Sequence, residues 1–570
     1  MNTRKKGIIF FAVVAGIMLS SGVTIAINPA QWFGNSSDFD QITPEELDAF
    51  DLDALDLELG YSDDESLQFC STNEEALSNQ YVKEYKIPTE CTQPLAITVD
   101  HNGIVWFAQT NTGKVAKFDP LTETFTEYDN LVWKQAEKIF VASAIENNMQ
   151  PKKLRSMIWG MDYFPDGSIW FTDEATDAIW KFSIDEESYA RIPYSQIDND
   201  KSSLPQKLII DGSKIIINDF TGGKLSFLDY AQDRQGLRHY SIPALPLSES
   251  GDAVTSDFAI DSNKNIWYTN WIPNGVGVLV KFDYPGYEFQ AAEGKVSEGL
   301  LLQDFVEWYN FPGGLTTPNG VAVGPDQKIW LADTSSSYFF SFDPKTEEFT
   351  KYITSVPTID SYGNASGAIN NPISRPYWIE HHDGNLIMNE QTANRIGVFN
   401  PSSETLVEYT VPSRNPNWAD CSDIDVGLYC GVAQVFDFAV DGEKIWFTEW
   451  VENNIGVVDT SIPLPFSIDI NTNQITLEKG QTVKIVLEST IAPNYTGSAI
   501  NAIVNYSTTS TFSDITIKPE LNDFSLSDDP ITISVEITAS EYALSGTHKI
   551  LLGAYIYDVS ISQFITVTVV

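Results

Sequence analysis

The sequence predicts an all-β protein, a seven-bladed β-propeller followed by an immunoglobulin-like β-sandwich, with an N-terminal transmembrane helix in front. Three observations carry that expectation. A unit of strand, Asp-Gly or Asp-Asn type turn and aromatic-rich strand recurs seven times. After Pro465 the unit ceases, and short alternating strands continue to Val570. An uncharged, mostly apolar run from Gly7 to Ile27 follows Arg4-Lys5-Lys6, and at helical rise it is just long enough to cross a bilayer.

At the N-terminus, the basic flank keeps Met1 on the cytoplasmic side. The remainder is then extracytoplasmic: single-pass at the cell membrane if residues 1–28 stay as an anchor, or secreted if Thr24-Ile25-Ala26 serves as a signal-peptide cleavage site. Residues 29–78 form an acidic linker, with fourteen Asp or Glu between Asp38 and Glu75 and no Lys or Arg between Lys6 and Lys83. Self-repulsion extends such a segment, although Thr43-Pro44-Glu45-Glu46 offers a helix start ahead of Leu47, Phe50, Leu55 and Leu59. Over the whole chain, 34 Lys+Arg against 78 Asp+Glu leave a formal charge of −44. That field repels phosphate backbones and excludes nucleic acid as the main partner. The four cysteines are an even number in an exported chain. Short separations favour Cys70–Cys91 and Cys421–Cys430, and neither pair has metal-site spacing.

Residues 79–462 hold the repeats. They read Ala96–Phe107, Met161–Phe171 and the degenerate Leu208–Ile217, then centre on Trp267, Trp330, Ile387 and Trp446. Units of this length with about four short strands are propeller blades, because such sheets bury both faces only by stacking on one another. Third strands such as Lys114–Asp119 and Arg395–Asn400 stop at Asp-Pro or Asn-Pro turns, and outer strands such as Phe125–Tyr128 and Leu406–Tyr409 follow. The seventh unit has no outer strand of its own, so Val82–Pro88 is expected to pair into it and remove an open edge. Leu131–Met157 is a helical insertion. Residues 463–570 form the sandwich, which lacks Cys and Trp. Sequons stand at Asn35, Asn364, Asn494 and Asn505.

The Ile-Trp-Phe-Thr-Glu type strands, Asp-Gly turns and Lys-Phe-Asp-Pro type strands resemble the streptogramin lyase (virginiamycin B lyase) family across Tyr81–Thr460. The resemblance implies a propeller, and in the members that are lyases it implies lactone opening by elimination with a His base and Glu-held Mg²⁺. The seven inner-strand starts of this chain contain no histidine. Blade five, with Thr317-Pro318-Asn319-Gly320-Val321-Ala322 and Trp330-Leu331-Ala332-Asp333, is similar to gluconolactonase (senescence-marker-like) propellers. That likeness implies Asn319 and Asp333 as ligands of a divalent cation.

One polar residue follows the central pair of each blade: Gln109, Asp173, Asp219, Asn270, Asp333, Glu390 and Glu449. If these converge at the channel mouth they make a ring of oxygen donors suited to Ca²⁺ or Mg²⁺. The metal set is then Asp173, Asp219, Asn319, Asp333, Glu390 and Glu449, with Gln109 and Asn270 beside it as ligand contacts. The alternative is that each residue serves its own blade's turn. Among the insertion aromatics Trp271, Trp308, Trp418 and Trp450, Trp271 and Trp450 are assigned to the ligand surface. His101, His381 and His382 read as surface residues, and no catalytic residue is assigned. The function expected is a binding module for a small molecule, peptide or glycan at the channel mouth. The alternative is a divalent-metal-dependent lyase or lactonase.

Overall fold

The computed structural model describes residues 69–570, apart from 135–136, 139–140, 142–156, 175–177, 194–203, 221–223, 230–241, 244–252, 273–275, 293–301, 423–429, 494, 496–499, 512 and 528. The apolar run Gly7–Ile27, the helix start at Thr43 and most of the insertion 131–157 lie outside the described residues. No described helix is long and apolar enough to cross a membrane.

The chain is all-β. Six four-stranded sheets and the first four strands of a nine-stranded sheet make seven meanders, each here called a blade. Their order follows the chain, and the weakest repeat still forms a full blade, from Pro205–Asp211 to Ile242–Pro243. In blade seven the outer place is taken by Val82–Lys86, which lies beside Asn454–Asp459. Ile87 N–H donates to Asn453 O at 3.1 Å and extends that pairing. The expectation that this segment closes the seventh sheet is met, and the reason is the open edge it covers.

The described chain divides into two compact units. The first comprises blades one to four and most of blade seven, with the segment up to Ala76. Its inner strands begin with a repeated device: Pro94 pairs with Gln109 and Pro205 with Asp219, each followed by a bulge. A proline without an N–H suits a strand start, and the bulge re-aims the residues after it. A polar side chain near the end of one blade's second strand then bonds the start of the next blade's inner strand. Thr172 Oγ1 donates to Gln206 O at 2.6 Å, Asn218 Nδ2 to Thr255 O at 2.8 Å, and Thr448 Oγ1 to Leu95 O at 2.7 Å. The last of these ties blade seven to blade one. Gly160 shows how near these strands run, since a Cβ there would stand 2.5 Å from Gln206 O.

The second unit comprises blades five and six, Leu77–Lys83 and residues 457–570. The same device recurs: Pro318 pairs with Asp333, Pro376 with Glu390, and Asn389 Nδ2 donates to Val435 O at 2.9 Å. Residues after Pro465 form two sheets. One orders Phe466–Ile470, Thr482–Ile491, Ile531–Ala539 and Ile515–Pro519. The other is continuous with blade six, because Thr405–Tyr409 pairs antiparallel with Val559–Gln563. The blade core shares this continuity: Phe339, Tyr352, Phe399 and Leu406 pack in one buried cluster with Leu551 and Phe564. Glu404, beside the seam, accepts from Lys549 Nζ at 2.5 Å and from Tyr352 Oη at 3.0 Å.

Because Phe564 is fully buried in that shared cluster, Phe564→Ala is expected to cost about 3–5 kcal/mol. Urea unfolding followed by hydrogen exchange is expected to show blade six and the C-terminal strands losing protection together.

Candidate functional site

The seven strand-end residues are all buried, and each is engaged close to home. In blade one Gln109 Nε2 donates to Glu127 Oε1 at 2.7 Å, with Lys114 Nζ 3.4 Å from the other oxygen. In blade six Arg395 Nη2 reaches Glu390 at 2.9 Å and lies 3.8 Å from Glu408. In blade seven Asn454 Nδ2 donates to Glu449 at 2.8 Å, and Glu84 sits against the same carboxyl. These are equivalent positions on the second, third and outer strands, which share one face of the sheet. Gly397 leaves room for the blade-six group, since a Cβ there would stand 3.2 Å from Glu390 Oε1.

The remaining blades vary the theme. Asp173 accepts from Trp180 Nε1 at 3.0 Å, and Asp219 from Leu204 N at 3.0 Å. Asn270 Nδ2 lies 3.4 Å from Val254 O. Asp333 accepts from Thr317 N and from Ser336 Oγ, both at 2.7 Å, and Asn319 Nδ2 donates to Thr334 Oγ1 at 2.9 Å. Among the described residues no three of His, Cys, Asp and Glu stand together as cation ligands. The polar residue of each blade therefore serves its own sheet, the alternative reading of the sequence.

Burial sets the protonation of these groups. It pushes the Glu390 carboxyl well above its ordinary range, against the pull of Arg395 and with the added repulsion of Glu408. Burial raises Glu449 in the same way, with Glu84 adding to it. Asp333 is also raised by burial, although four hydrogen bonds oppose the shift.

Two aromatic assignments are corrected. Trp271 is buried against Phe220 and Phe311 in a small cluster. Trp450 is buried between Phe69 and Phe436, with ring centroids at 5.6 and 5.2 Å. Phe69 is held there by the end of the acidic segment. The Cys70–Cys91 disulfide pins it, and the buried Glu452 carboxylate accepts from Ser71 Oγ, Thr72 N and Asn73 Nδ2 at 3.0–3.3 Å. Cys421–Cys430 is the other bridge, so both pairs match the short-separation expectation. Trp418 is buried while Trp308 is 55% exposed. His101 bonds Tyr163 Oη at 2.7 Å, and His381 is exposed at the far end of the blade-six inner strand.

A cavity that sequence reasoning missed opens in the second unit. It measures about 380 Å³ and lies among the loop Ser355–Asp360, Ala393, Arg395 and Thr410 of blade six, and Asn505 and Tyr555–Ser560 of the C-terminal strands. The seam at Thr405–Tyr409 creates it by setting the turn around Tyr557 beside the blade. Arg395, whose side chain is 8% exposed, forms part of the wall. Its Nη2 donates to Ser355 O at 2.7 Å, and Glu408 Oε1 accepts from Ser355 N at 2.9 Å. Asn505 Nδ2 donates to Ser560 Oγ and Ser562 Oγ at 3.0 Å, and also to Ser355 Oγ. The sequon at Asn505 is thus closed to modification in the folded chain, whereas Asn364 is exposed. Val356, Ile359 and Tyr557 keep 53%, 50% and 61% of their surface exposed at the rim. The spacing of Glu390, Arg395 and Glu408, the same as that of Gln109, Lys114 and Glu127, was the available signal for the polar wall. Nothing in sequence order signalled Asn505 or Tyr557.

In the first unit Glu174 is a buried carboxyl pushed up to about 8 by burial, with Trp159 Nε1 donating to it at 3.4 Å. The folded chain holds this proton more tightly than the unfolded chain, whose Glu titrates near 4.5. Its stabilising effect is complete below that lower value and is lost as pH rises through the upper one. Glu174→Gln is therefore expected to flatten the fall in melting temperature between pH 4.5 and about 8. In the second unit Arg395→Met, which strips the buried carboxyls of their cation, is expected to cost about 3–5 kcal/mol in urea unfolding. Glu390→Gln mimics the protonated form and is expected to cost under about 1 kcal/mol.

No family model matches the chain, and no curated relative matches it. Among solved structures, a streptogramin B lyase, itself a β-propeller, is similar with a TM-score of 0.45 and 18% identity, over 66% of this chain and 96% of its own. A catalytically inactive virginiamycin B lyase from Staphylococcus aureus, with quinupristin, gives 0.45 and 17% over 66% of this chain and 98% of its own. The extracellular domain of a putative hybrid two-component system from B. thetaiotaomicron gives 0.42 and 12%, over 86% of this chain and 60% of its own. Likeness at this level bears on neither substrate nor activity, and the gluconolactonase-like motif of blade five stands on its residues alone.

Proposed function

We propose that this chain is an exported, non-catalytic binding module in which seven blades close into a propeller and the immunoglobulin-like C-terminal strands complete the binding site. The cavity of about 380 Å³ carries the reading. It is within the size range of ligand pockets, roughly 300–1,000 Å³, and it joins a polar wall to an exposed apolar rim. The chemistry required of a lyase or lactonase has less support. The groups nominated for a cation are engaged within their own blades, and the inner-strand starts offer no histidine base. The exported location rests on the basic flank and apolar run at the N-terminus, together with two disulfides.

Ala393, buried in the cavity wall, gives the test. A small-molecule, peptide and glycan screen by thermal shift on the full chain is expected to yield a ligand that raises the melting temperature. Ala393→Phe is expected to melt normally alone and to lose that rise. Unchanged melting of the unsubstituted chain across the whole screen would remove the proposal. Calorimetry with Ca²⁺ and Mg²⁺ beside a lactone panel is expected to show neither saturable uptake nor ring opening. Both together would favour the metal-dependent enzyme instead.

A further inference from the structure

We infer that the cavity beside blade six takes an uncharged peptide segment bearing a branched or aromatic side chain. The inference rests on the binding-module reading and names its ligand class. Two unmatched polar groups point to it. Arg395 directs Nη2 to Ser355 O and Glu390, while its Nε has no hydrogen-bond partner among the described residues. Asp360 uses Oδ2 for Arg414 at 3.2 Å, and its Oδ1 has no partner among the described residues. Both residues line the cavity, and they are near enough to feel each other's charge. A guanidinium donor and a carboxylate acceptor left over in one cavity complement the C=O and N–H of a peptide group.

Charge and shape narrow the class. Arg395 is already balanced by Glu408, and Asp360 by Arg414. A net charge on the ligand would enter without a counter-charge and bear the desolvation cost alone. Anions are further disfavoured at long range by the formal charge of −44. At the rim, Val356, Ile359 and Tyr557 are large apolar groups that remain half-exposed or more, and a branched or aromatic side chain would cover them. A sugar ring would set hydroxyls against the valine and isoleucine.

The test is calorimetry on the full chain with N-acetyl-phenylalanyl-glycinamide and N-acetyl-leucyl-glycinamide, their free-acid counterparts, and cellobiose. Saturable binding of a blocked peptide is expected, weakened at least about tenfold by Tyr557→Ala and by Ile359→Ser. Both substituted side chains are exposed, so folding is retained, and Leu121→Ser, 94% exposed on blade one, is expected to leave affinity unchanged. Tighter binding of the free acids, or binding of cellobiose lost in the same rim variants, would overturn the uncharged-peptide class while the binding-module reading stands. Silence from the blocked peptides overturns this inference, and the Ala393→Phe screen decides the broader reading separately.

Discussion

The backbone seam between Thr405–Tyr409 and Val559–Gln563 governs the second unit. An antiparallel meander ends in a row of unpaired N–H and C=O groups, and blade six meets that need by continuing into the C-terminal strands. Once the strands are joined, their side chains share one core, and Phe564 packs against Phe339, Tyr352 and Phe399. The ion pair of Lys549 with Glu404 and the amide of Asn505 then have fixed partners. The cavity is a by-product of the same join, since the turn at Tyr557 follows directly from the register of the seam.

Buried carboxyls are the second recurring theme. Glu390, Glu449, Glu452 and Glu174 are all raised by burial, in a protein whose surface already carries an excess of negative charge. Each is matched differently: by a guanidinium and a second carboxyl, by an amide and a second carboxyl, by a cluster of hydroxyl, amide and backbone donors, and by an indole. Holding such groups inside a sheet favours one strand register, because a one-residue slip would turn them to the opposite face without partners.

Much of the fold was legible because each blade repeats its own chemistry. The central Trp of blades one, four, five and seven, the Asp-Gly turns and the displaced outer strand Val82–Lys86 all mark local structure. Even the degenerate third blade could be placed, since its Ile-rich strands keep the alternation. The site was less legible. Regular spacing of Gln109, Asp173, Asp219, Asn270, Asp333, Glu390 and Glu449 records a shared place in the sheet, and a shared place does not imply a shared destination. Whether such a side chain faces an axis or a neighbouring strand depends on residues such as Gly397 and Arg395, one strand away. Asn505 and Tyr557 reach the cavity through a pairing more than a hundred residues long in sequence, about which local pattern is silent. Trp271 and Trp450 misled because an aromatic in an insertion looks the same whether it awaits a ligand or a Phe from elsewhere in the chain.

The bridge at Cys70–Cys91 encloses Val82–Lys86, the strand that completes blade seven. A pull on the chain ahead of Phe69 would pass through sulfur to Cys91 and leave the enclosed loop slack. The hydrogen bonds of the closing strand would bear none of the tension, so the molecule resists unzipping from the end at which mechanical force is most easily applied.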